Sequence, residues 1–222
     1  MKKFILSGLM IFCVLMLSVT ITQAVPVKES TFTTGDEGWS TWSTGVVTGF
    51  SQDSTGGNPG GYISATDSSD STWFFMSPLS WGGDWTPYIG GTIEFDIKPI
   101  KNDASQIYMS SIVTVVLDLE TPGDGIFIGW FSDINPPIGT WTTYNVEISE
   151  SNFQVVGSSL PFNEAIQQVT MIGFFGDYLQ GQTDTSCLDN VRVSPVPEPA
   201  TMLLLGFGIL GLMGFRRKFS KK

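Results

Sequence analysis

The chain has 222 residues, with 11 Lys plus Arg against 21 Asp plus Glu, no His, and a formal charge of −10. The missing imidazole excludes a Ser-His-Asp or Cys-His nucleophile, a His general base and any His-ligated zinc or iron site. Seven of the eleven cations lie in the two end segments, so residues 25–196 carry four cations against twenty acids, a net of −16 that repels nucleic acid and other polyanions.

Residues 1–24 open with Lys2 and Lys3, run uncharged from Phe4 to Leu17 and close on Thr22-Gln23-Ala24. A charged start, an apolar stretch and small residues at the exit predict a secretory signal peptide cleaved after Ala24. Retained, the same run would be an anchor; the small residues favour cleavage. Cys13 sits inside the apolar run rather than behind a small residue at its end, so no lipoprotein acyl site is expected.

From Lys28 to Ser194 the chain is dense in Gly, Ser and Thr, and its apolar residues recur with period two. Candidate strands are 39–47, 61–66 and 72–76, followed by 91–98, where Ile93, Phe95 and Ile97 share one face and Thr92, Glu94, Asp96 and Lys98 the other. Residues 111–119 are apolar on both faces and predict a central strand. A turn at Pro122-Gly123-Asp124 joins that strand to 125–131 as a hairpin. Strands at 141–148, 169–175 and 186–194 complete the set, with one or two helical turns at 161–168. This pattern predicts an all-β, two-sheet antiparallel sandwich of jelly-roll type, forming one domain over 28–194. Once the leader is removed Cys187 is the only thiol, so no intramolecular disulfide braces the domain.

Phe32 to Trp39 (Phe-Thr-Thr-Gly-Asp-Glu-Gly-Trp), Gly56 to Ile63 (Gly-Gly-Asn-Pro-Gly-Gly-Tyr-Ile) and the closing Leu188-Asp189-Asn190-Val191-Arg192-Val193 strand form a recognisable set. With Trp73-Phe74-Phe75 and the Phe95 strand, they make residues 31–193 resemble the laminin B (laminin IV type A) domain. That family is related in architecture to galactose-binding-like jelly rolls.

Strict alternation along the last strand places Asp189 with Cys187, Val191 and Val193, facing the core, where a carboxylate needs a partner. Similar jelly-roll modules hold a structural calcium between the opening loop and the last strand. The resemblance therefore implies a Ca²⁺ site of Asp36, Glu37 and Asp189, although Thr33 stands where related carbohydrate-binding modules place Glu. The alternative is that Asp189 caps a loop by accepting backbone N–H bonds.

All seven tryptophans lie between the two ends. Aromatic faces beside acids and amides suit sugars, whose apolar C–H faces stack on rings while their hydroxyls meet carboxylates. Trp81-Gly82-Gly83-Asp84-Trp85 and Trp141 are the candidate glycan-binding residues, whereas Trp39, Trp73 and Trp130 read as core. Paired carboxylates can hydrolyse glycosides without His, but no local motif singles out two of the acids.

The chain closes with Pro197-Glu198-Pro199, an uncharged stretch over 200–215, and Arg216-Arg217-Lys218. Sixteen residues at ~1.5 Å each span about 24 Å, short for a bilayer core of ~30 Å, and flanking cations lengthen the reach by snorkelling. A Pro-Glu-Pro triplet, a short transmembrane helix and a basic end resemble the PEP-CTERM sorting signal, here over 196–222. The resemblance implies processing by an exosortase in a Gram-negative bacterium that makes exopolysaccharide. The protein would then pass through the inner membrane to the cell surface or extracellular matrix. The plainer alternative is a C-terminal membrane anchor.

The reading that follows is an exported, non-catalytic, glycan-binding or adhesive sandwich, with secretion machinery, exosortase and extracellular polysaccharide as partners and no cofactor beyond the structural calcium. A purely structural or protein-binding matrix module is the alternative, and an acid-pair glycosidase a more distant one.

Overall fold

The computed structural model describes residues 24–68, 72–101, 107–108, 112–119, 124–180 and 183–196. The expected signal-peptide residues 1–23, the Pro-Glu-Pro triplet and the expected span 200–215 lie outside the described residues. Among those described, no helix is long and apolar enough to cross a membrane.

Fourteen strands follow one another in the described chain: β1 (Lys28–Ser30), β2 (Ser40–Ser43), β3 (Val47–Asp53), β4 (Tyr62–Asp67), β5 (Trp73–Met76), β6 (Thr92–Lys101), β7 (Ile107–Tyr108), β8 (Ile112–Asp118), β9 (Phe127–Ser132), β10 (Thr142–Glu147), β11 (Gln154–Val156), β12 (Met171–Phe175), β13 (Leu179–Gln180) and β14 (Asp184–Ser194). One short helix, α1 (Phe162–Ala165), precedes β12. The first sheet runs β10-β6-β14-β4-β3, with β1 also paired to β14; the second runs β11-β9-β8-β12-β5-β2; β13 and β7 form a small ribbon. Every pairing in both large sheets is antiparallel. The predicted all-β sandwich is the observed fold.

The period-two pattern explains the core. Ile93, Phe95 and Ile97 of β6 are fully buried and meet the inward residues of the second sheet, Phe95 approaching Phe174 of β12 at 4.6 Å between ring centroids. Phe75 pairs with Phe174 in register, so Trp73 and Phe75 of β5 point inward as well, and Phe74 and Met76 point out. Each large apolar side chain taken fully out of water contributes about 1.5–3 kcal/mol, and this two-sided aromatic layer carries the fold without a disulfide.

Three local features differ from the sequence pattern. The expected strand 39–47 is two strands in different sheets, because the chain turns at Thr44-Gly45-Val46, where the Ser43 hydroxyl accepts the Gly45 N–H at 2.9 Å. Strands β1 and β11, three residues each, are too short to show a period. Strand β14 carries a bulge between Asp189 and Arg192, with Asn190 in the left-handed region at φ 48°. The bulge shifts the alternation: Val191 and Val193 fill the core, while Asp189 lies opposite Asp96 on the outer face of the first sheet. The core-facing Asp189 that strict alternation predicts is thus corrected by one inserted residue.

Candidate functional site

The outer face of the second sheet forms a groove of about 220 Å³. Its floor is Phe74 and Met76 of β5 and Val116 of β8, and its walls include Trp42 of β2, Phe127 of β9, Asp118 and the Asp124-Gly125 turn. Gly173 of β12 keeps the floor level, since a Cβ there would sit 2.6 Å from the Val116 methyl and 2.7 Å from the Met76 sulfur. Trp42 lies opposite Phe74 in register, with ring centroids 6.1 Å apart, and is half-buried. Thr41, the neighbour of Phe75, takes the inward position. An edge strand that turns its hydroxyl inward and its indole outward reverses the usual pattern and leaves an aromatic ring on the outer face.

Two acids border this apolar floor. Asp118 is buried at 5 % exposure, and Asp124 is exposed, with Oδ1 accepting the Ile126 N–H at 2.8 Å, which fixes the turn. Rings that offer flat apolar faces and carboxylates that accept hydroxyls are the complement of a pyranose chain.

The structure places the sequence-predicted residues elsewhere. Trp81 and Trp85, read as exposed rings on a loop, are buried at 8 % and 0 % exposure, and the Trp85 indole donates to the Trp81 carbonyl oxygen at 2.9 Å. Trp81 packs edge-on to Trp39 at 5.4 Å, and Trp85 lies 5.4 Å from Tyr88, so neither ring offers a face to ligand. Asp84 between them is exposed, and its Oδ1 accepts the Thr86 N–H at 2.8 Å. Hydrogen bonds from the Thr86 side chain and then its backbone N–H hold the Asp84 carboxyl below the usual carboxylate range. Trp141 lies in neither the loop nor the groove. It packs against Tyr62 at 5.7 Å, the Lys98 ammonium lies 4.4 Å from its ring centroid, and its indole donates to Gly56 O at 3.1 Å.

The acids expected to hold calcium do not form one cluster. Asp36 Oδ1 accepts the Gly38 N–H at 3.0 Å, and Glu37 Oε1 accepts the Phe32 N–H at 2.7 Å, supporting a turn in which Phe32 and Glu37 both have positive φ. Asp189 accepts the backbone N–H groups of Asn58 and Asn190, each at 2.6 Å, as the loop-capping alternative requires. Burial raises its carboxyl to about 6, the two N–H groups oppose the rise, and the charges of Asp96 and Glu37 add to it. The one group of three acids with converging oxygens among the described residues is Asp67, Asp177 and Asp184.

Comparison with known proteins adds two findings. Residues 195–218 match the PEP-CTERM protein-sorting motif, which marks a surface protein sorted by an exosortase. The all-β, two-sheet antiparallel sandwich is similar in fold to the family 11 carbohydrate-binding module from Clostridium thermocellum, solved with a β-1,3-1,4-mixed-linked tetrasaccharide. That match has a TM-score of 0.51 and 19 % identity, and covers 79 % of this chain and 99 % of the other. A second structure, the family 11 module of a cellulosomal cellulase of the same organism, matches with a TM-score of 0.50 and 21 % identity over 79 % of this chain and 98 % of its own. The L4b domain of human laminin alpha-2 is a distant neighbour, with a TM-score of 0.44 and 14 % identity over 56 % of this chain and 70 % of that one. No curated protein matches the chain.

Proposed function

We propose that the protein is an exported bacterial surface protein whose sandwich binds a polysaccharide chain, without catalysis, in the groove on the outer face of the second sheet. The observation that carries this reading is the outward pair Trp42 and Phe74, laid beside Phe127 and bordered by Asp118 and Asp124. The mixed-linked glucan seen with the similar Clostridium module makes β-glucans the first ligands to try. Delivery rests on the tail: the chain crosses the inner membrane of a Gram-negative cell, is processed by an exosortase near Pro197-Glu198-Pro199 and reaches the surface or the surrounding matrix.

Glycan-array binding of the purified full chain, with β-glucans and exopolysaccharide fractions among the glycans, tests the ligand class. Retention on at least one β-linked polysaccharide is expected. Silence on every glycan would instead favour a structural or protein-binding matrix module, and release of reducing sugar would favour a glycosidase.

A further inference from the structure

A second set of acids, separate from the groove, meets inside the sandwich. Asp67 ends β4 and Asp184 begins β14, and the strand register sets them directly opposite each other in the first sheet. Asp177 follows β12 of the second sheet. All three are buried, at 1 %, 1 % and 4 % exposure for Asp67, Asp184 and Asp177. One carboxylate oxygen from each lies within 4.8 Å of the others. Oxygens bound to one Ca²⁺ at ~2.3–2.6 Å are at most about 5 Å apart, so this spread matches a shared ion.

A second observation points into the same place. Asp184 Oδ2 is buried and has no hydrogen-bond partner, while its Oδ1 accepts the Trp73 indole N–H at 3.3 Å. A carboxylate oxygen shielded from water and left without a donor is costly in a folded protein, and Asp184 Oδ2 is such an atom, set among the carboxylates of Asp67 and Asp177. Burial raises the Asp184 carboxyl to about 7; the Trp73 indole and the backbone N–H groups of Leu179 and Tyr178 oppose the rise, and the Asp67 charge adds to it.

We infer that Asp67, Asp177 and Asp184 bind a hard divalent cation, calcium foremost, which ties the two sheets together. The donors are carboxylate oxygens alone, which suits Ca²⁺ over zinc or copper, and calcium tolerates the irregular geometry that donors from two strands and a connection provide. The ion would brace a domain whose Cys187 is a free thiol. This site does not depend on the glycan reading, and either can fail alone.

Terbium, which occupies calcium sites, is the probe. The Trp73 indole is hydrogen-bonded to Asp184, so an ion held there is close enough for indole excitation to sensitise its emission. The full chain in mild detergent is stripped with EGTA and titrated with Tb³⁺. The expected result is emission saturating near one equivalent, reversed by excess Ca²⁺, together with a rise in Tm on adding Ca²⁺. Asp184→Asn should weaken Tb³⁺ binding at least tenfold and abolish the Tm response. Asp177→Asn, at a connection, repeats the test should Asp184→Asn fail to fold. Trp73→Phe should keep calorimetric Tb³⁺ binding while reducing sensitised emission several-fold, and Asp189→Asn should leave the titration unchanged. Absence of saturable binding with an unchanged Tm in the unsubstituted chain would overturn the proposal. So would loss of binding in Asp189→Asn with retention in Asp184→Asn.

Discussion

The Trp85 indole N–H donates to the backbone carbonyl oxygen of Trp81 at 2.9 Å, which fastens two rings four residues apart inside the protein. Both rings are therefore packing elements. Trp85→Ala removes a fully buried side chain and its hydrogen bond, and is expected to destabilise the domain by about 3–5 kcal/mol in urea unfolding. Glycan retention by the folded fraction should not change.

Gly57 is a second structural requirement, for a different reason. A Cβ at this position would press on the Gly61 carbonyl oxygen and on Asp189 Oδ2, both held in place by the loop they support. Gly57→Ala should lower stability by about 1–3 kcal/mol, as overpacked sites do. Gly125→Ala supplies the contrast, since it meets no neighbour and carries only the strain of φ 84°.

Asp189 gives the domain a pH dependence whose sign follows from its environment. Its carboxyl rises from 3.8 to about 6 on folding, chiefly through burial, so the folded state holds that proton more tightly than the unfolded chain. Between those two values the folded protein binds more protons, and stability falls as pH rises from about 4 to about 6, then levels off. Asp189→Asn should flatten that slope in denaturation curves across pH. It should also lower stability by about 1–3 kcal/mol, because an amide oxygen replaces only part of what two backbone N–H groups lose.

Cys187 is 1 % exposed, and burial pushes its thiol up to about 11, with the Lys98 charge opposing the rise. Thiolate is the reactive form, so Cys187 should resist thiol reagents in the native state. Stoichiometric labelling should appear in denaturant, and fast labelling of folded protein would contradict the packing described.

Much of the fold is legible in the sequence, because Ile93, Phe95 and Ile97 alternate so regularly that one sheet's inner face can be read from β6 alone. The site is harder to read. Trp81 and Trp85 sit among Gly and Asp, a polar context that suggests exposure, yet local composition does not report which rings the two sheets enclose. Trp42 gives a weaker but truer signal: in Ser40-Thr41-Trp42-Ser43 the indole and the threonine fall on opposite faces, and only the pairing with Phe74 and Phe75 shows which face is outward. Asp189 lies on the outer face and not on the core face that strict alternation predicts, since a bulge at Asn190 leaves no mark in the spacing of apolar residues. Asp67, Asp177 and Asp184 come from three separate stretches, and strand register rather than any motif brings them together.

The most direct test of the groove is calorimetric titration of the polysaccharide retained on the array into the unsubstituted chain, Trp42→Ala and Trp141→Ala. Trp42 is half-buried at a groove wall, and loss of one stacking ring should weaken binding about 10–100-fold, equivalent to ~1.4–2.8 kcal/mol, with the fold intact by circular dichroism. Trp141→Ala, on the opposite face of the sandwich, should bind as the unsubstituted chain does. Unchanged affinity in Trp42→Ala, with the loss appearing in Trp141→Ala, would contradict the account and move the ligand to the first sheet.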